Sequence, residues 1–353
     1  MQDQDIFGAH YPAIFGSDLG GEVVQIGQGV VGLFVGQKVI AYVLTSFSMP
    51  SSICLTSNRQ HVIIPQTNHL TNTTTPNSHA HGLSTNNPSY GAFQQYVLAP
   101  TISVSPVPSS IPLQSAVVLP LSISTAAAGL YQRHYLSLPY PTPSPTPLHR
   151  TLIIWGGSSS VGSTAIQLAR ASGATILAVA SARNEDYCRS LGASEVFDYH
   201  SPDVEDDLVK ALKGSTLAGI YHAAGPDSAV RSCARVAERS EGKALVVTVR
   251  GAPKEGLPGS VRVRAIRSSD IFERGNEVGG RVWRDYVPGA LAKGLLVPAP
   301  EAVVVGKGLR SVQHGLDVQK KGVSARKVVV EGIEGDASRE TVLGGIWDPY
   351  RVC

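Results

Sequence analysis

The middle of the chain alternates short apolar runs with polar, glycine-bearing turns. Residues 152–155, 175–180, 217–222 and 243–249 are apolar at successive positions, as expected of parallel strands covered on both faces. Between the first two runs, Val161, Ala165, Leu168 and Ala169 return at helical spacing, so 152–180 predicts a strand, a turn, a helix and a second strand. Nearer the start, valine-rich segments at 20–27, 35–42 and 91–98 are broken by glycines and predict a small barrel-like sheet. Helical pieces are expected at 111–120 and 124–131, and the five prolines of 139–147 predict an exposed connection. Beyond residue 270 the pattern predicts a helical segment with two aromatics at 282–288, a surface helix at 306–321, a last strand at 324–331 and a loose tail from 332. The fold class expected is α/β: a doubly wound parallel sheet at 125–269, a second sheet domain at 1–124, and a return to the latter at 270–331.

Residues 46–90 break this order. They are rich in Ser, Thr, Asn, Pro and His, offer only His61-Val62-Ile63-Ile64 for burial, and are expected to be disordered. His61, His69, His79 and His81 have no accompanying acid or cysteine to complete a metal site.

The turn from Gly156 to Gly162 is the richest in chemistry. The first amides of a helix lack carbonyl partners, so Ser160 and Val161 would offer their N–H groups to a pyrophosphate, where the helix dipole also favours negative charge. Gly157 is expected to permit the tight turn and Gly162 the close packing of the helix; Ser159 replaces the middle glycine of the usual fingerprint. At the tip of the second strand stand Ser181 and Arg183, where an NAD-selective site carries an acid. A hydroxyl and a guanidinium suit a ribose 2'-phosphate and point to NADPH; an incidental arginine on a solvated strand end is the plain alternative.

With 353 residues, 42% of them hydrophobic and 16% charged, the chain has room for two folded domains. A net charge of +3 with scattered basic residues indicates neither a nucleic-acid nor a membrane partner. Arg262, Arg264 and Arg267 alternate with Val263 and Ile266, as on a solvated strand. No run is read as long enough to span a bilayer and no signal segment is seen, so the cytoplasm is expected. Cys54, Cys188, Cys233 and Cys353 are too scattered for a structural zinc or a disulfide framework.

Tyr11-Pro12-Ala13-Ile14-Phe15-Gly16-Ser17-Asp18, Gly20-Gly21-Glu22-Val23-Val24, Gly91-Ala92-Phe93-Gln94-Gln95-Tyr96-Val97, the segment 119–127, the Gly156–Gly162 turn and Leu191-Gly192-Ala193 together resemble the medium-chain dehydrogenase/reductases. The likeness is to the zinc-free quinone oxidoreductase and enoyl reductase branch, fungal type. It implies a GroES-like barrel closed by C-terminal residues, a Rossmann-like domain, and a substrate cleft between them. Zinc-dependent relatives place Gly-His-Glu where this chain has Gly16-Ser17-Asp18. By position, the resemblance puts Thr125 and Gly251 near the nicotinamide, Gly157, Ser159, Ser160 and Val161 at the pyrophosphate, and Ser181, Arg183 and Tyr199 around the adenosine phosphate. Family members carry a further segment ahead of Met1-Gln2-Asp3-Gln4-Asp5-Ile6-Phe7, so the barrel is expected to be incomplete, and the 46–90 insert reads as translated intron.

The activity expected is NADPH-dependent reduction of an activated C=C bond in an enoyl thioester or enone, or of a quinone, by hydride transfer without zinc. Tyr42, Tyr131, Trp283 and Tyr286 are candidates to line the pocket, and no catalytic acid is named. A catalytically defective NADPH-binding sensor or structural protein and an alcohol dehydrogenase are the rival readings. The partners expected are a small-molecule substrate and a second copy in a homodimer.

Overall fold

The computed structural model describes residues 14–43, 53–64 and 90–332. Two sheets organise them. The first contains β1 (Asp18–Ile26), β2 (Lys38–Tyr42), β3 (Ile53–Ile64), β4 (Tyr96–Leu98) and β5 (Val104–Pro106), and two strands from the far end of the chain, β12 (Glu301–Lys307) and β13 (Arg326–Glu331). Its order is β12-β13-β3-β1-β2-β5, with β4 beside β3, so C-terminal residues do return to the first domain.

The second sheet holds β6 (Arg150–Trp155), β7 (Thr175–Ala180), β8 (Glu195–Asp198), β9 (Thr216–His222), β10 (Leu245–Thr248) and β11 (Arg262–Ala265). It runs β11-β10-β9-β6-β7-β8 and is parallel throughout, the doubly wound dinucleotide-binding order whose switch point lies between β6 and β9. Ile153 and Val179 are buried against α5 (Val204–Ala211) and α6 (Asp227–Glu238), and Leu152 and Ile154 against the opposite face with α2 (Pro120–Tyr131) and α3 (Ser160–Ala171). Burial on both faces explains the unalternating apolar runs. β11 is exposed at Arg262 and Arg264, as the alternation there predicts.

Three expectations are corrected. Within the insert expected to be disordered, β3 pairs in parallel with both β1 and β13, including Leu19↔Leu55 and Val328↔Ile53. A strand flanked on both sides satisfies its backbone through its neighbours, and side-chain pattern alone does not show that. The rest of the insert, His69, His79, His81, residues 1–13 and the tail from 333 lie outside the described residues. The helix expected from residue 306 begins only at α8 (Val312–Lys321); Gly306 belongs to β12, where Ala302-Val303-Val304-Val305 is the strand signal.

The third correction concerns α1 (Leu113–Ala116) and α2. Leu113–Tyr131 is long and apolar enough to cross a membrane by length and composition, and 83% of that stretch is buried inside the protein. Packing between two domains demands the same apolarity as lipid. Gly129 shows how tightly α2 is held: a Cβ there would lie 2.5 Å from the Tyr221 ring and 2.7 Å from Ile266.

Candidate functional site

The turn after β6 is built as a phosphate cradle. Gly156 sits at φ +81°, and its N–H and that of Gly157 both donate to the Val179 carbonyl, at 2.8 and 3.0 Å. The left-handed residue is therefore Gly156, not Gly157. Two consecutive glycines cannot be told apart from sequence, and Gly157 is small because Ala178, Cys188 and Ile166 crowd it. At Gly162 a Cβ would fall 2.1 Å from the Gly156 carbonyl oxygen, so α3 closes directly onto the turn. Ser159 caps α3 by accepting from the Gly162 N–H at 3.1 Å, which leaves the amides of Ser160 and Val161 as the outward donors.

A cation that the sequence reading missed lies beside this cradle. The Lys327 ammonium from β13 is 3.1 Å from Asp18 Oδ2 and 3.5 Å from Ser160 Oγ, and its side chain is only 4% exposed. Asp18, fully buried, also accepts from the Leu121 N–H at the start of α2, at 2.5 Å. Barrel, connecting helix and nucleotide turn thus meet on one ion pair. Its members are 309 residues apart, and no local pattern announces it.

At the tip of β7, Ser181 is 8% exposed and its Oγ accepts from Asn184, while Arg183 is exposed. Tyr199 follows β8, donates its N–H to the Ala180 carbonyl at 3.3 Å, and stacks on His200 with its side chain partly open. Ser181, Arg183 and Tyr199 therefore do gather on the β7–β8 side. An acid does too. Asp198 pairs in register with Ala180, and hydrogen bonds from the His200 backbone and ring and from the Ala182 backbone hold its carboxyl below the usual range. Reading along the chain, the first acid after Ser181 is Glu185; the sheet sets Asp198 beside Ala180 and Ala182 as well.

Thr125 and Gly251 lie on the opposite side of β6. Thr125 gives its hydroxyl proton to the Leu121 carbonyl at 2.7 Å, and its own carbonyl accepts from Tyr221 Oη of β9 at 2.7 Å. Gly251, after β10, opens onto a cavity of about 480 Å³ walled by Asp227, Arg231, Arg250, Lys254 and Glu255. The site residues are thus brought together as three groups along the carboxyl edge of one sheet. Of the aromatics proposed for a pocket, Tyr131 is bonded to Leu168 and Ser172 and Trp283 to Ser124, both as buried packing groups; Tyr42 bonds Ser268 Oγ at 2.7 Å.

His222 ends β9 inside this edge, fully buried, with Nδ1 3.0 Å from Thr248 Oγ1. Burial, reinforced by the Arg250 charge, lowers its pKa from 6.5 to about 4. The unfolded chain then takes up a proton below pH 6.5 that the folded chain refuses until about pH 4, so stability falls as pH drops through that window. His222→Asn is expected to flatten that acid limb in urea melts taken from pH 7 to pH 4; an unchanged pH slope rules the assignment out.

Residues 160–288 match the family described as zinc-binding dehydrogenase, and residues 1–109 the alcohol dehydrogenase GroES-like domain. The dehydrogenase azaJ of Aspergillus niger is 38% identical over 91% of this chain and 82% of its own length. The chain belongs to the medium-chain dehydrogenase/reductase superfamily, in its enoyl-reductase-like branch. Another member, the trans-enoyl reductase himH of Aspergillus japonicus, is 37% identical over 94% of this chain and 84% of its own. An alcohol dehydrogenase superfamily protein from Novosphingobium aromaticivorans superposes with a TM-score of 0.62 at 22% identity, covering 90% of this chain and 80% of that one. The CurK enoyl reductase gives 0.59 at 17%, covering 91% and 79%. Superfamily members use a nicotinamide cofactor, and the cradle at Gly156–Gly162 fits its pyrophosphate. Among the described residues, no three His, Cys, Asp or Glu side chains lie together as metal ligands.

Proposed function

We propose that this chain is an NADPH-dependent reductase of an activated carbon–carbon double bond, in an enoyl thioester or enone, or of a quinone. The observation that carries the cofactor choice is the tip of β7, where Ser181 and the exposed Arg183 stand and Asp198 is already engaged by Ala182 and His200. A bound nicotinamide would supply the hydride. The chain's own part is to fix the cofactor: the Ser160 and Val161 amides and the Lys327 ammonium offer positive potential to a pyrophosphate, and Arg183 offers a fork to a 2'-phosphate. Thr125 and Gly251 would border the nicotinamide end. Metal independence is supported by the donor set at 17–18, where the Asp18 carboxylate is committed to an amide and an ammonium that would repel a cation.

Purified protein given NADPH and a panel of enoyl thioesters, enones and quinones should consume the cofactor with at least one of them, undiminished by a chelator. Oxidation of alcohols with added zinc as the sole activity overturns the reading, and cofactor binding with no turnover favours a sensor. For the cofactor itself, Arg183→Ala should weaken NADPH by roughly tenfold to a hundredfold and leave NADH unchanged, since a hydrogen bond to a charged group contributes about 1.5–3 kcal/mol. Calorimetric titration with both nucleotides decides it: an equal loss for the two means that Arg183 does not meet the 2'-phosphate.

A further inference from the structure

Asn184 is placed where three segments converge. It lies just past the tip of β7, is 8% exposed, and its Nδ2 donates to Ser181 Oγ at 3.0 Å, Ser158 Oγ at 3.1 Å and Ser324 Oγ at 3.2 Å. Those hydroxyls belong to three different stretches: the tip of β7, the turn after β6, and the loop entering β13 from the barrel side. An amide nitrogen has two protons and no lone pair to offer, so the three hydroxyls accept from two N–H groups, one of them forked between two oxygens. A hydroxyl whose oxygen accepts in this way has its own proton left to give. The protons of Ser181 and Ser158 are thereby left for an acceptor other than Asn184.

We propose that Asn184 is a positioning residue for 2'-phosphate recognition, acting by fixing the Ser181 and Ser158 hydroxyls as donors. Two oriented hydroxyl donors favour an anionic ester over a neutral ribose hydroxyl, because hydrogen bonds to an ionised acceptor are roughly twice as strong as neutral ones. Without the amide, each serine can turn its proton inward and present a lone pair, which a phosphate oxygen repels. The third bond, to Ser324, holds this arrangement against the barrel return, so cofactor choice is sensitive to a residue 140 positions away. The inference rests on the NADPH reading and adds to it a residue that need not touch the cofactor.

The test uses fragments that lack nicotinamide. Binding of adenosine 2',5'-bisphosphate and of 5'-AMP is measured by calorimetry on the full chain, for the wild type, Asn184→Leu, Ser181→Ala and the double variant, with thermal unfolding as the check on folding. Asn184→Leu keeps the volume and removes the donor; Asn184→Ala removes it without a branched side chain and is the second variant. The wild type should prefer the bisphosphate, and either substitution should cut that preference about tenfold while leaving 5'-AMP nearly unchanged. In the Ser181→Ala background the same substitution should cost much less, since the pair acts as one unit. Equal loss of both ligands shows a merely structural role and overturns the proposal. A wild type that prefers the bisphosphate, with variants that keep the full preference, also overturns it and leaves the NADPH reading standing. A wild type with no preference defeats the NADPH reading, and this inference with it.

Discussion

Lys327→Met is expected to destabilise the fold by about 3–5 kcal/mol, the usual cost of removing one member of a buried ion pair. The Asp18 carboxylate has no exposed surface and Lys327 only 4%, so water cannot replace the lost ammonium. The same carboxylate accepts from the first turn of α2 at Leu121, so an uncompensated charge there disturbs the joint between barrel and nucleotide domain. Cofactor affinity should fall as well, for NADPH and NADH alike, because the ammonium sits 3.5 Å from Ser160 Oγ at the pyrophosphate end. Asp18→Asn combined with Lys327→Met should recover much of the stability and none of the affinity, since it removes the buried charge without restoring the cation. Urea melts and calorimetric titration of the two variants read both effects; a loss under about 1 kcal/mol in the single variant would place the pair in the class of weak surface bridges instead.

Gly162→Ala should be the most damaging single methyl group in the cofactor turn. Its Cβ would lie 2.1 Å from the Gly156 carbonyl oxygen and 2.9 Å from Gly157 Cα, and both contacts are backbone. Gly156 cannot retreat, because its N–H is bonded to Val179 and Ala224 fills the space behind it. Overpacking of this kind costs about 1–3 kcal/mol. Displacing the turn misaims the Ser160 and Val161 amides, and losing one charge-assisted hydrogen bond to the pyrophosphate weakens both nucleotides by roughly tenfold to a hundredfold. Gly289→Ala is the control: a Cβ there meets nothing within 4 Å in α7 (Val287–Ala292), so it should be neutral or stabilise by up to about 1 kcal/mol. If Gly162→Ala binds both nucleotides as tightly as the control, the turn is not the pyrophosphate cradle.

The two predictions differ in how they arise. Gly162 is legible in the sequence as the place where the helix packs closely, because strand, glycine turn and helix follow one another between Arg150 and Ala171 and each is set by local sterics and hydrogen bonding. Nothing local in the sequence distinguishes Lys327. Its neighbours in sequence form an ordinary valine-rich strand, and its partner Asp18 stands near the other end of the chain. Arg183 shows an intermediate case. Its place at the tip of a parallel strand was legible, but the Asp198 carboxylate that shares the region arrives through the β7–β8 pairing and is invisible to a reading along the chain.

By itself the sequence determined what depends on contacts between near neighbours: the parallel strands from their unalternating apolar runs, the Gly156–Gly162 turn, the solvated arginines of β11, and enough ordered motif to declare the superfamily. Tertiary structure decided what depends on segments meeting from afar. It drew β3 out of a polar stretch by pairing it with β1 and β13, chose Gly156 over Gly157 for the left-handed position, and put Asp18 against Lys327 and Asn184 among three serines. The physical reason is common to all of these. A buried polar group must find a partner, its cost if it fails is large, and the partner is supplied by whichever segment the packing of the sheets brings alongside, not by the residues next to it in the chain.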